Sequence, residues 1–262
     1  HLADTKAPAC VRLPESLFDY FMSPASAGAP FGRYQNACSI IAITGTFEDY
    51  LAGPAGYYTR RKIRRAVREG YRFAEFDPDQ HLDGIYAVNT SMDERQGRPM
   101  DDSYRTRPAP AAHAGEAGCP RHREPWFGVF KDEQLVAYTH VLQVGDMCLF
   151  NRILGHGDHL EGGVMFQLVA GTIEALVATA GLRYAMYERH TSGTPGLRYF
   201  KERMGFRPYW VDWQRADEPV ISTRDAYDRW VAERQRPRPR PSLPRRLARR
   251  GKRMLRSLAS TA

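Results

Sequence analysis

The chain has 262 residues, 42% of them hydrophobic, which is enough for one domain with a real core and an extended end. Its formal charge of +8 is unevenly placed: residues 234–262 hold eleven Arg or Lys and no acid, leaving 27 basic residues against 30 acidic ones elsewhere. No run of about 18 apolar residues exists, which excludes a membrane-spanning helix, and four cysteines without a Cys-x-x-Cys pair exclude a disulfide scaffold.

That cysteine usage fits a reducing compartment, so a cytoplasmic location is expected. The start at His1, with no charged-then-apolar leader, reads as trimmed. Residues 1–33 carry one short apolar segment, Leu13 to Met22, and are expected to be a peripheral, partly disordered lead-in to a domain over 34–233. Cys38 to Ile43 reads as a buried strand and Phe47 to Leu51 as a short helix capped by Thr46. Tyr57 to Glu69 reads as a helix ended by Gly70, with Ile63 and Val67 on one face and Arg60, Arg61, Lys62, Arg64, Arg65 and Arg68 around the rest. Such a charge run is either a solvated face or a grip on an anionic substrate.

Tyr71 to Phe76 alternates as a strand does, and His81 to Gln96 has helical spacing. From Gly97 to Pro125 the composition turns to Pro, Gly, Ala, Arg and His, a long loop of the kind that forms lids. His113, Cys119 and His122 lie in it as half of a metal site, but a further donor is missing and no metal is assigned. Trp126 to Lys131 and Leu135 to Val144 read as a hairpin joined by a tight turn.

The next stretch organises the chain. Asp146 to Leu154 reads as a strand, and Gly155 to Gly163 holds four glycines in nine residues. Val164 to Ala180 has the spacing of a long helix, stopped by Gly181. Arg183 to Arg189 follows as a strand, Pro195 to Met204 as a helix, and Phe206 to Trp213 as a closing aromatic strand. A glycine loop at a positive helix end predicts a cradle of unblocked N–H groups for an anion or a carbonyl oxygen. Thr223 to Arg234 is a last helix candidate in the domain. The 234–262 tail then couples a Pro/Arg spacer to a basic amphipathic helix, a pattern suited to an anionic surface.

Three segments carry a family resemblance: Ala42 to Leu51, Arg60 to Tyr71, and Gly196-Leu197-Arg198-Tyr199-Phe200-Lys201-Glu202-Arg203-Met204-Gly205-Phe206. Together they resemble the FemAB-like branch of the GNAT (N-acetyltransferase) superfamily, over about residues 34–213. The resemblance implies an α+β fold with a mixed, mostly antiparallel twisted sheet of about six or seven strands flanked by helices. It implies an enzyme that moves an acyl or aminoacyl group to an amine. Arg152-x-x-Gly155-x-Gly157 is similar to the loop that grips coenzyme A, and alignment on the helix places Gly162-Gly163 there instead. His159 sits close to that cradle. Lys201 occupies the place where many GNAT enzymes have a leaving-group Tyr, and Phe200-Lys201 resembles the Fem-type pair that handles an aminoacyl ester.

The donor is therefore expected to be an acyl-CoA or an aminoacyl-tRNA, bound as a substrate, with no tightly held cofactor. Lys201, Phe200 and Tyr199 are candidate catalytic residues. Glu188 and Glu161 are the first candidates for proton acceptor, with Asp93, His140, His156 and His159 as alternatives. On the acceptor side Arg65, Asp93, Arg95 and Tyr104 are expected to meet an amine on a small molecule, peptide or glycan precursor. Two other readings arise from the tail: a non-catalytic RNA-binding module on the same fold, or an envelope-assembly transferase lying peripherally on the inner membrane face.

Overall fold

A computed structural model describes residues 8–23, 35–53, 56–110, 119–215 and 218–235. In chain order the elements are α1 (Pro8–Met22), β1 (Cys38–Ala42), α2 (Phe47–Ala52), α3 (Gly56–Arg68), β2 (Arg72–Glu75), α4 (Leu82–Thr90), β3 (Glu94–Arg95), β4 (Arg98–Pro99) and α5 (Asp102–Arg105). There follow β5 (His122–Arg123), β6 (Trp126–Lys131), β7 (Gln134–Val144), β8 (Met147–Gly155), α6 (Val164–Val177), β9 (Tyr184–Arg189), α7 (Pro195–Arg203), β10 (Arg207–Tyr209), β11 (Asp212–Trp213), β12 (Ile221–Ser222) and α8 (Thr223–Gln235). The main body runs to Tyr227, and a second unit begins at Asp228 within α8. No helix among the described residues is long and apolar enough to cross a membrane.

The main sheet has eight strands in the order β10-β1-β9-β8-β7-β6-β2, with β5 paired to β7. Every neighbouring pair is antiparallel except β8 and β9. Side chains alternate between two covered faces, which is why the central strands read as unbroken apolar runs. Ile41, Cys148, Phe150 and Ala185 pack with Val169, Ala170, Ile173 and Leu176 of α6. Their neighbours Ile40, Leu149 and Met186 point the other way, onto Leu17 and Phe21 of α1.

Residues 8–22, expected in a peripheral lead-in, are thus a packed helix. Leu13, Leu17 and Phe21 recur every four residues, and the Phe21 ring stacks on Trp213 at 4.5 Å. Each such side chain contributes roughly 1.5–3 kcal/mol by leaving water.

Other boundaries shift for local reasons. The helix expected to Gln96 stops at Thr90, where the Thr90 and Ser91 hydroxyls donate to the carbonyls of Tyr86 and Val88. Gln96 and Gly97, at φ 54° and 68°, then turn β3 into β4, and the long loop from 97 carries β4, α5 and β5. Asp132 and Glu133, both with positive φ, close the two-residue β6–β7 hairpin as a right-twisted ribbon requires. The closing aromatic strand divides into β10, beside β1, and β11, beside β12. Thr46 caps α2 as expected, bonding reciprocally with Asp49.

Candidate active site

The sheet opens between its two parallel strands. β8 and β9 pair only from Met147–Tyr184 to Leu149–Met186. Just beyond, both strands bulge: Asn151 is the extra residue of β8 against β7, and Tyr187 and Glu188 lie opposite Ser39 of β1. Glu188 adopts φ 47° there. Bulges bend strands, and two at the same level on facing edges part the sheet.

A cavity of about 900 Å³ occupies the opening. Ile153, Leu154 and Gly155 of β8 form one wall, and Tyr187 of β9 lies across from them. Met165 and Phe166 start α6 at the back, and Thr194, Gly196, Leu197 and Phe200 bring α7 to the side. The β3–β4 hairpin covers the front with Glu94, Arg95, Gln96 and Gly97, next to Tyr104 of α5. Apolar walls with a few convergent polar groups are what a substrate site needs.

Arg95 fixes that hairpin to the body. Its Nη1 donates to the Gly155 carbonyl at 2.8 Å, and its Nη2 to the Val88 carbonyl at 2.9 Å and to Ser91 Oγ at 3.0 Å. Its buried Nε has no partner among the described residues, and burial lowers its pKa, with Tyr138 and Tyr104 opposing. Thr194, which caps α7, donates to Gln96 Oε1 at 2.6 Å and closes the hairpin onto that helix.

Of the residues expected from sequence, Phe200, Gly155, Arg95 and Tyr104 line this cavity together, and the Arg152 guanidinium lies over the Tyr104 ring at 5.5 Å. Lys201 does not line it. Its side chain is fully buried, and Nζ donates to the Arg189 carbonyl at 2.7 Å and to Ser192 Oγ at 2.9 Å. Burial lowers its pKa to about 8; Glu188 opposes this and Arg189 adds to it. Glu188 itself pairs with Arg189 at 3.1 Å and stays outside the cavity lining.

The glycines of the expected cradle are closely packed on the side where a Cβ would lie. A Cβ on Gly162 would lie 2.8 Å from the Tyr71 ring, and one on Gly163 would lie 2.9 Å from the Lys62 carbonyl of α3. Gly157 abuts Met92 and donates its N–H to Ser91 Oγ at 3.1 Å, while Gly155 faces Met165 and Leu160. These glycines admit close packing of neighbouring chain, and Gly155 also lines the cavity. Residues 157–162 are a 3-10 turn, and Arg152 and Gly155 belong to β8.

Several other expected residues also sit elsewhere. Glu161 is exposed near Arg65, Arg65 pairs with Glu69 on the outer face of α3, and Asp93 is exposed beside Arg105. Tyr199 lies on a separate shallow surface with Arg203. His159 bonds Tyr71 at 2.9 Å and borders a groove with His81, His156 and Asp158. His140 is stacked on Trp126 and bonded to Glu124 at 3.1 Å, so it serves a half-buried network with Arg12. The expectations for His113 and for the tail helix lie outside the described residues.

Sequence reasoning missed Glu94, the one carboxylate in the cavity lining. Asp93, just before β3, is not in that lining and has its side chain in solvent beside Arg105. The hairpin signal was Gln96-Gly97, a turn pair at the end of a helical pattern.

No family model matches the sequence, and no curated protein matches it. Among solved structures, FemX aligns with a TM-score of 0.52 and 10% identity over 74% of this chain and 64% of its own. L-PGS from Bacillus licheniformis aligns at 0.46 and 15%, over 66% and 57%. A GCN5-related N-acetyltransferase from Kribbella flavida aligns at 0.37 and 12%, over 66% and 54%. The chain spans less than two thirds of each of these. The likeness to FemX shows the fold: a mixed sheet of mainly antiparallel strands between helices.

Proposed function

We propose that the protein is an acyltransferase that moves an acyl or aminoacyl group onto an amine held in the cavity between β8 and β9. The observation that carries this reading is the cavity itself, placed where the sheet parts in a chain with the fold of FemX. Transfer forms a C–N bond, breaks the ester or thioester bond, and returns a proton to the departing hydroxyl or thiol. The incoming ammonium must first lose a proton, and Glu94 is the carboxylate positioned to take it. The β8 edge beyond Leu149, released from β9, offers main-chain groups to the reacting carbonyl, and preorganised donors of this kind are worth about 3 kcal/mol each.

Aminoacyl-tRNA is the donor this arrangement favours. Gly162 is packed against Tyr71 and Gly163 against the Lys62 carbonyl of α3, which weighs against a pyrophosphate grip there, while Arg61, Arg64, Arg65 and Arg68 are exposed along that helix. The basic 234–262 segment would add contacts to tRNA or to an anionic membrane, both of which bind cations electrostatically. The test offers aminoacyl-tRNA and acyl-CoA in parallel to a panel of amines and detects the amide by mass spectrometry. Product from the tRNA donor is expected. Product from neither donor with any amine would sink the transferase reading, and product from acyl-CoA alone would reverse the choice of donor.

A further inference from the structure

Far from the cavity in sequence, three donors meet: Cys10 of α1, Cys119 and His122. Their ligating atoms all lie within 4.8 Å of one another, with Cys10 Sγ 3.4 Å from Cys119 Sγ and Cys119 Sγ 3.1 Å from His122 Nδ1. A tetrahedral zinc ion with Zn–S about 2.3 Å and Zn–N about 2.0 Å separates two sulfurs by about 3.8 Å and a sulfur from a nitrogen by about 3.5 Å. The two contacts made by Cys119 need only a few tenths of an ångström of expansion to reach those values, and the Cys10–His122 pair lies within 4.8 Å. Cys10 and Cys119, with their sulfurs at 3.4 Å, are free thiols and not a bonded pair.

The scaffold around the cluster is built to hold position. The His122 N–H donates to the Cys119 carbonyl at 3.0 Å, closing the Cys-x-x-His turn. His122 pairs with Val144 across β5 and β7, the Gly145 N–H donates to the Arg121 carbonyl at 2.8 Å, and Gln143 Nε2 donates to the Pro120 carbonyl at 3.0 Å. On the other side, α1 is fixed by its buried Leu13, Leu17 and Phe21 and by the Arg12–Glu124 ion pair. Cys10 and His122 are buried and Cys119 is half-buried, so the donors are shielded from bulk water yet reachable.

We infer that Cys10, Cys119 and His122 form a zinc site that ties α1 to the β5–β7 edge, through two thiolates and the Nδ1 of a neutral imidazole. Two soft sulfurs and one nitrogen suit zinc and disfavour magnesium or calcium. Binding sends the two thiol protons to solvent and leaves the fourth tetrahedral position to a further donor or to water. The site is independent of the acyl-transfer reading, since none of its ligands lines the cavity.

The experiment uses the full chain, reduced and stripped with a chelator, then titrated with zinc against a chromophoric competitor and separately with cobalt(II). One equivalent of zinc, a thiolate-to-cobalt charge-transfer band and the visible bands of a tetrahedral ion are expected. Cys119→Ser and His122→Ala should lower the stoichiometry from about one to near zero, while Cys38→Ser leaves it unchanged. No uptake by the reduced wild-type chain overturns the inference. So does full uptake by the Cys10→Ser/Cys119→Ser double variant, or cobalt spectra without thiolate character. If a variant fails to fold, the wild-type cobalt spectrum still decides.

Discussion

The ammonium of Lys201 lies 4.7 Å from the centre of the Tyr187 ring, and of the two residues only Tyr187 lines the cavity. Lys201 therefore acts one layer behind the site. It ties the Arg189 carbonyl and the Ser192 hydroxyl together where β9 leads into α7, and it backs the ring that forms the cavity wall.

Its depressed pKa makes this role measurable. The folded value of about 8 lies below the 10.5 of an ordinary lysine, so between these values the unfolded chain binds more protons and stability rises with pH. Below about pH 8 the cost of the buried charge is fully present, and above 10.5 it is gone. A drop of this size corresponds to about 3 kcal/mol. Urea unfolding of wild type and Lys201→Met at pH 7 and pH 10 should show wild type gaining most of that amount relative to the variant. A difference that does not change with pH would mean that the charge is not desolvated.

Neighbouring carboxylates on β3 and just before it separate catalysis from surface charge. Glu94→Gln removes the proposed proton acceptor and should lower kcat by about 100-fold or more, with KM little changed. Asp93→Asn, outside the cavity lining, should change kcat by less than about twofold. Equal effects of the two substitutions in steady-state transfer assays would remove Glu94 from the mechanism.

What could be read in the sequence depended on how local the signal was. The β6–β7 hairpin, α6, β9 and α7 were legible because period, cap and turn all lie within a few residues of one another. Helix α1 was not, since residues 1–33 showed only the short apolar segment Leu13 to Met22, while its evidence for burial is Trp213, nearly two hundred residues away. The resemblance led to the right fold and to Phe200, but a motif position does not give a side chain's direction. Lys201 points into the body beneath Tyr187, and the glycine-rich loop meets α3. Glycine reports close approach of something, and here the something is the protein's own chain: side chains at Gly155, Gly157 and Gly162, and the Lys62 carbonyl at Gly163.

Gly163 tests that last point. Its φ of 85° and the nearby Lys62 carbonyl make both the backbone and the space hostile to a side chain. Gly163→Ala should cost about 1–3 kcal/mol in chemical denaturation. On the reading that this glycine serves the approach of α3, the folded fraction should keep its KM for the donor within about twofold. A large rise in KM without loss of stability would restore the cradle.

Helix α1 makes a prediction about the limits of the folded unit. Phe21 is fully buried, stacked on Trp213 and edge-on to Tyr20, and it packs against Leu149 and Met186 of the strands that part to form the cavity. Phe21→Ala leaves a void in that layer and should cost about 3–5 kcal/mol, while Phe21→Leu, which refills most of the space, should cost markedly less. Against a total stability of roughly 5–15 kcal/mol, the alanine variant should show a clear fall in its urea midpoint. Removal of residues 1–22 goes further, since it uncovers Cys38, Ile40, Leu149 and Met186 at once. The shortened chain should aggregate or lose its near-ultraviolet dichroism. A truncated chain with an unchanged midpoint would show that α1 is only an appendage.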